Sequence, residues 1–182
     1  MQLALNYDDN YNFSIIQVVG RGESPRLSHR ENLHYTNAVL HESMRISCVV
    51  YNALNHVANA DIQAGDYVIP KGAVIIPSIM NVMLDSKYFE NPFEFNPDRF
   101  ISSNGTFEAD EHVIPFSIGK RYCLGKSLAE KEFFLFFTGL MSKYDINPVS
   151  NKPLPSYYMK DYQSSTIVRS PPSFDVILSH RQ

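Results

Sequence analysis

The sequence predicts a mainly helical fold carrying small β-sheets, and three stretches support that reading. Lys126 to Lys143 is apolar almost all round at helical spacing. Tyr35, Ala38, Val39 and Ile46 make an apolar stripe on one face of a shorter helix. Between the two, Val49–Tyr51, Asp66–Ile69 and Ala73–Ile76 are short β-rich runs, punctuated by Gly65, Pro70, Gly72 and Pro77, and they read as hairpins.

Composition bounds the possibilities. A chain of 182 residues suffices for one domain with a real core. At 44% hydrophobic and 13% aromatic it is globular rather than disordered. A net charge of −3 offers nothing to a nucleic acid. Cys48 and Cys123 show neither zinc spacing nor a disulfide framework, which suits a reducing compartment. Met1 to Asp9 lacks the basic-then-apolar pattern of a signal peptide, and no uncharged apolar run is long enough to cross a bilayer, so no membrane anchor is expected in this chain.

Residues 1–30 are weakly patterned. Ile15 to Val19 reads as a helix end stopped by Gly20. Thr36 is expected to cap the helix that runs to about Ile46. Glu42 falls in the middle of that helix's apolar stripe, where a carboxylate is costly unless a cation or donor meets it. Arg45, one turn later, is within reach, and a second arginine from elsewhere would complete the neutralisation. Ser78 to Leu84 reads as a further short helix, and 88–111 as a meander rich in Asn, Pro and Phe. The helix from Lys126 is expected to be buried on all sides. Near the end, Ser164–Val168 and Phe174–Leu178, separated by Pro171-Pro172, read as two strands of a terminal hairpin or sheet.

The most informative stretch is Phe116-Ser117-Ile118-Gly119-Lys120-Arg121-Tyr122-Cys123-Leu124-Gly125. It places one cysteine on a glycine-flanked loop just ahead of the long helix. A sulfur there can be the axial ligand of a haem iron, and a helix N-terminus suits an anionic sulfur because its amides and dipole favour negative charge. Gly119 and Gly125 remove a Cβ where the backbone turns sharply or lies against a flat macrocycle. Arg121 presents a fork of donors suited to a propionate, and Phe116 is expected to cover the sulfur. A buried structural cysteine is the ordinary fate of a lone Cys. Against it, five set positions filled by chance in a chain of average usage has odds on the order of one in ten thousand or less.

This loop resembles the haem-binding loop of the cytochrome P-450 family, the haem-thiolate monooxygenases. The resemblance extends from about Val18 to the end. Glu42-Ser43-Met44-Arg45 is similar to the family's Glu-x-x-Arg on its K helix, and Pro97-Asp98-Arg99-Phe100 to its Pro-Glu-Arg-Phe meander, with Asp in place of Glu. It implies that Glu42, Arg45 and Arg99 form a buried structural triad, that His56 reaches a haem propionate, and that Val50–Leu54 and Ser165–Val168 are substrate-contact segments. The fold implied is the C-terminal part of a P-450: K helix, β hairpins, meander, Cys loop, L helix and terminal β hairpin, with 1–182 as one fragment of a single domain. Asn55, where animal members have proline, and Leu84 and Ser86, where they have His-x-Pro, depart from the pattern at loop-shaping sites.

The function implied is that of the family: reductive activation of dioxygen and insertion of one oxygen into a lipophilic substrate. The cofactor is haem b, with Cys123 as iron ligand, and electrons come from NADPH through a haemoprotein reductase. Lys120, Lys126, Lys131 and Lys143 are expected to form a basic surface near the thiolate face for that donor. The full-length relative would sit on the cytosolic face of the endoplasmic reticulum membrane; for the fragment, a cytosolic place or none can be assigned. Relatives are more than twice this long, and no Ala-Gly-x-Asp/Glu-Thr pattern of the oxygen-activating I helix occurs among these residues. The chain by itself is therefore expected to be inactive, poorly soluble and weak in haem retention. The alternatives are a non-catalytic haem-binding module or vestigial truncated product, and a haem-thiolate isomerase or peroxygenase, which needs no reductase.

Overall fold

The structure, a computed structural model, describes residues 9–152, 163–164 and 168–181, with 9–13 and 163–164 as backbone alone. Helix α1 (Asp9–Val19) stops where Gly20 takes φ +95 and returns its N–H to the Ile16 carbonyl at 2.9 Å. A 3-10 turn at Leu27–Asn32 leads straight into α2 (His34–Ser47). That turn moves the helix start upstream of the expected cap. Leu33 is the N-cap residue, and Thr36 lies inside the helix, fully buried, with no hydrogen-bond partner for Oγ1. At its other end α2 stops at Cys48, which adopts the left-handed conformation (φ 39). Arg169, buried, donates from Nη1 to the Ser47 carbonyl there at 3.4 Å.

The β-rich middle forms antiparallel pairs. Strand β1 (His56–Val57) pairs with β4 (Val74–Ile75), and β2 (Ile62–Ala64) with β3 (Tyr67–Ile69) in a hairpin turning through Gly65. Among the described residues, Val49–Tyr51 contributes a single bridge, Val50 to Val168. Helix α3 (Ile79–Met83) is capped by Ser78, whose hydroxyl accepts the Asn81 N–H at 3.4 Å. The meander carries a 3-10 turn at Pro97–Phe100, and helix α4 (Lys126–Lys143) comes after the cysteine loop.

Among the described residues, the two C-terminal segments do not pair with each other. Strand β8 (Val176–His180) pairs along its length with β5 (Tyr144–Pro148), while β6 (Gln163–Ser164) pairs with β7 (Arg169–Ser170). Pro171 and Pro172 have no N–H to give a ladder, so the chain changes sheets there.

Two apolar clusters share α2. Val39 and Leu40 pack with Ile15 and Val19 of α1, Phe134 and Met141 of α4 and Ile146 of β5. Ala38 and Cys48 pack with Ile79, Met83, Phe89, Phe100 and Val113. Helix α4 corrects the expectation of burial on all sides. Phe134, Thr138 and Met141 form its buried stripe, whereas Leu128 and Phe136 are exposed, Phe136 by 76%. Among the described residues, α1, the 3-10 turn at Leu27–Asn32, α2 and β5 pack against α4, and none of them covers Phe136. An apolar surface at Phe136 therefore stays open.

Candidate functional site at the Cys123 loop

The loop is closed by its own backbone. The Phe116 carbonyl accepts the Cys123 N–H at 2.9 Å, and the Gly119 carbonyl accepts that of Tyr122 at 3.2 Å. Turning the chain between them requires left-handed residues at Ser117 (φ 61) and Gly119 (φ 74). Glycine meets that requirement without strain; a residue with a Cβ at 119 would not. Lys126, the first residue of α4, donates its N–H to the Cys123 carbonyl at 3.2 Å, so the cysteine sits against the helix N-terminus. Cys123 is exposed, as are Arg121 and Leu124 beside it.

Gly125 plays a different part from Gly119. Its φ is −80, open to any residue, but a Cβ there would lie 3.7 Å from the Cys123 sulfur. That is ordinary van der Waals contact, so neither the backbone nor the sulfur demands glycine at this position. Phe116 is half-buried, and its ring lines a cavity of about 440 Å³ shared with His41, Met44 and Lys126; the link to Cys123 that the structure shows is through the backbone. The other cysteine is of the structural kind. Cys48 is buried, and that burial pushes its thiol up to about 11, against a small opposing pull from Arg169.

Glu42, Arg45 and Arg99 are brought together. Glu42 Oε2 accepts Arg45 Nε–H at 2.6 Å and Oε1 accepts Arg45 Nη2–H at 2.7 Å, with both side chains fully buried. Arg99 Nε–H reaches the same Oε1 at 3.3 Å, and the Asn96 N–H reaches it at 2.9 Å. The arginines spend their remaining donors on backbone carbonyls: Arg45 on Met83 O at the end of α3 and on Pro92 O and Glu94 O of the meander, Arg99 on Glu90 O and Glu94 O. A buried carboxylate tolerates such a place because its lone pairs are met and its charge is balanced.

His56 is half-buried on β1 opposite Ile75. Ser165 to Ile167 lie outside the described residues; Val168 is bridged to Val50, which sets the two suspected substrate-contact segments side by side. Of the lysines, Lys120 and Lys126 flank the loop, Lys131 is further along α4, and Lys143 is at its far end, about 26 Å along the axis at 1.5 Å per residue. That distance removes Lys143 from any surface at the thiolate. Sequence reading missed His41. A histidine directly before Glu42 carries no spacing signal, and its partners come from the distant segment 100–110.

Among the described residues, no group of three or more His, Cys, Asp or Glu is placed to hold a metal ion. A single thiolate here can serve a metal whose other ligands arrive with it, as in a macrocycle. A sequence model described as Cytochrome P450 matches residues 14–178. The chain belongs to the cytochrome P450 family. Relatives include cytochrome P450 2C23 of Rattus norvegicus, 44% identical over 71% of this chain and 26% of its own length. Cytochrome P450 2D26 of Mus musculus is 38% identical over 79% of the chain and 29% of its own length, and cytochrome P450 2A13 of Homo sapiens 39% identical over 71% and 26%. The chain thus spans between a quarter and a third of these relatives.

Membership makes this P450 chain part of a family of haem-containing, iron-dependent monooxygenases, which are oxidoreductases. The loop fits a haem: one exposed sulfur at the N-terminus of α4 and a guanidinium two residues before it. Among the described residues of this P450, no helix is long and apolar enough to cross a membrane.

Proposed function

We propose that these residues are the C-terminal part of a microsomal-type P450 and build its thiolate side, with Cys123 as axial ligand of haem b. The observation carrying this is the closed 116–123 loop, which presents Sγ to solvent at the N-terminus of α4. Arg121 would hold one propionate and His56 another. When bound, the haem supplies reductive activation of dioxygen and oxygen insertion into a lipophilic substrate.

The chain's own residues orient that group. The loop fixes the sulfur's position, and the Glu42–Arg45–Arg99 network locks the meander leading to the loop onto α2. The adjacency of Val50 and Val168 supports the reading of these segments as a shared lipophilic contact surface. Lys120 and Lys126 would receive the acidic face of an NADPH-dependent reductase. For the whole protein we place the activity at the cytosolic face of the endoplasmic reticulum.

We infer further that the isolated 182 residues do not turn over. The exposed face of α4, with Leu128 and Phe136, has the character of an interior surface. The deciding experiment is the carbon monoxide difference spectrum of the reduced chain expressed with haem. A thiolate-type Soret band that vanishes in Cys123→Ala and persists in Cys48→Ala is the expected result. The reverse pattern would overturn the assignment.

A further inference from the structure

His41 belongs to neither the triad nor the loop, yet the structure ties it to both. It precedes Glu42 on α2, and its ring meets Phe100 and Phe107 edge to face, at 4.6 and 5.4 Å between centroids. Nε2 accepts the backbone N–H of Asp110 at 3.3 Å, which requires the ring proton to be on Nδ1. Asp110 in turn organises the residues just C-terminal to it. Its carboxylate accepts the His112 N–H at 2.7 Å and lies 2.9 Å from His112 Nδ1, and the His112 ring stacks on Tyr88 at 3.9 Å. The Asp110 carbonyl accepts the N–H of Val113, a buried residue, at 3.2 Å. Three residues further on, the Phe116 carbonyl takes the Cys123 N–H.

We propose that His41 is a positioning residue for the Cys123 loop: its neutral Nε2 seats Asp110, and through segment 110–116 it sets where the backbone presents the sulfur. The connection to haem rests on the reading of Cys123 as ligand; the seat itself does not. A neutral imidazole suits the place, since it is apolar on its faces and accepts at one edge. The groups facing it pull both ways. Asp110 favours protonation; Lys126 and Arg30, lining the same cavity, oppose it; Glu111 and Glu130 also line that cavity. Burial outweighs them all and lowers His41 to about 4, so the lone pair is available at neutral pH. Protonation would set N–H against N–H, and the seat would open.

The test uses the 182-residue chain, free of haem and then loaded, with His41→Gln, which can still accept but does not titrate, and His41→Leu, which cannot accept. Hydrogen–deuterium exchange of the Asp110 and Cys123 amides is read against the Asn96 amide, which reports the triad. His41→Leu should lower protection at Asp110 and Cys123 about tenfold or more and leave Asn96 unchanged; His41→Gln should restore it. As pH falls towards 4, the native chain should lose protection at these two amides before Asn96, and His41→Gln should keep it. With haem, the thiolate-type Soret fraction should change in the same order. If His41→Leu does not fold, the pH comparison of the native chain with His41→Gln decides. Equal loosening at Asn96, or a Gln variant that opens with acid as the native chain does, overturns the proposal. The expected exchange pattern without any thiolate-type band in a native chain that has bound haem would support the seat and sink the ligand reading instead.

Discussion

Glu42 and Arg99 are 57 residues apart in the chain, and Arg99 Nε lies 3.3 Å from Glu42 Oε1. That contact closes a long loop onto α2, and it does so with a carboxylate that Arg45 has already engaged at both oxygens. The network therefore acts as a clasp between helix and meander, and its members are unequal. Arg45 is wholly buried, whereas the Arg99 side chain keeps 12% of its surface in contact with solvent.

Removing the shared carboxylate should be the most damaging change in the clasp. Glu42→Ala leaves Arg45 charged and buried without its partner, at a cost of ~3–5 kcal/mol. Arg99→Ala should cost less, because water can reach that site. Urea midpoints of the two variants check the ranking, and normal stability in Glu42→Ala would refute a structural role for the clasp.

The two cysteines should separate cleanly in thiol chemistry. Cys123 is exposed, and Cys48 is buried with its thiol pushed up to about 11. A disulfide reagent at neutral pH should label Cys123 promptly and Cys48 only on unfolding, because the thiolate is the reacting form. Peptide mapping of the labelled native chain tests this, and equal labelling would contradict the burial of Cys48.

Acid should weaken this fold in part through His41. An unfolded histidine titrates near 6.5 and His41 near 4, so the unfolded chain binds more protons between those values. The stability held by the neutral ring is complete above about pH 6.5 and is lost as pH falls towards 4, amounting to roughly 3 kcal/mol by linkage. Carboxylates titrate in the same range, so the informative quantity is the difference from His41→Gln. Denaturation of the two chains at pH 7 and pH 4.5 should show the variant losing less.

The two sides of α4 should respond in opposite ways. Phe134 is fully buried, and Phe134→Ala should cost ~3–5 kcal/mol. Phe136 is mostly exposed, so Phe136→Ser should leave the melting temperature nearly unchanged while reducing aggregation of the isolated chain. Light scattering and thermal melts separate these outcomes.

Charge reversal of Lys120 and Lys126 should slow reduction by a reductase at low salt in a chain completed with its N-terminal part, while the same change at Lys143, about 26 Å from Lys126 along the helix, should not. Equal effects at all three sites would argue against a localised docking face.

The residues by themselves marked the family, the sulfur loop and many of the local elements. Phe116 to Gly125 marked the sulfur loop because its set positions, Phe116, Gly119, Arg121, Cys123 and Gly125, all fall within ten residues. Gly20 and Ser78 marked helix ends just as locally. Glu42 announced that it needed partners, since a carboxylate in an apolar stripe has no local solution beyond Arg45. Only the tertiary structure decided matters that depend on distant segments. It started α2 at His34 rather than at Thr36, because the preceding 3-10 turn runs into it. It paired β8 with β5 rather than with the strand before the prolines. Among the described residues it left Leu128 and Phe136 of an apolar helix exposed, and it turned His41 towards Asp110. Propensity and spacing act over a few residues, whereas pairing partners and burial are set by what the rest of the chain brings alongside.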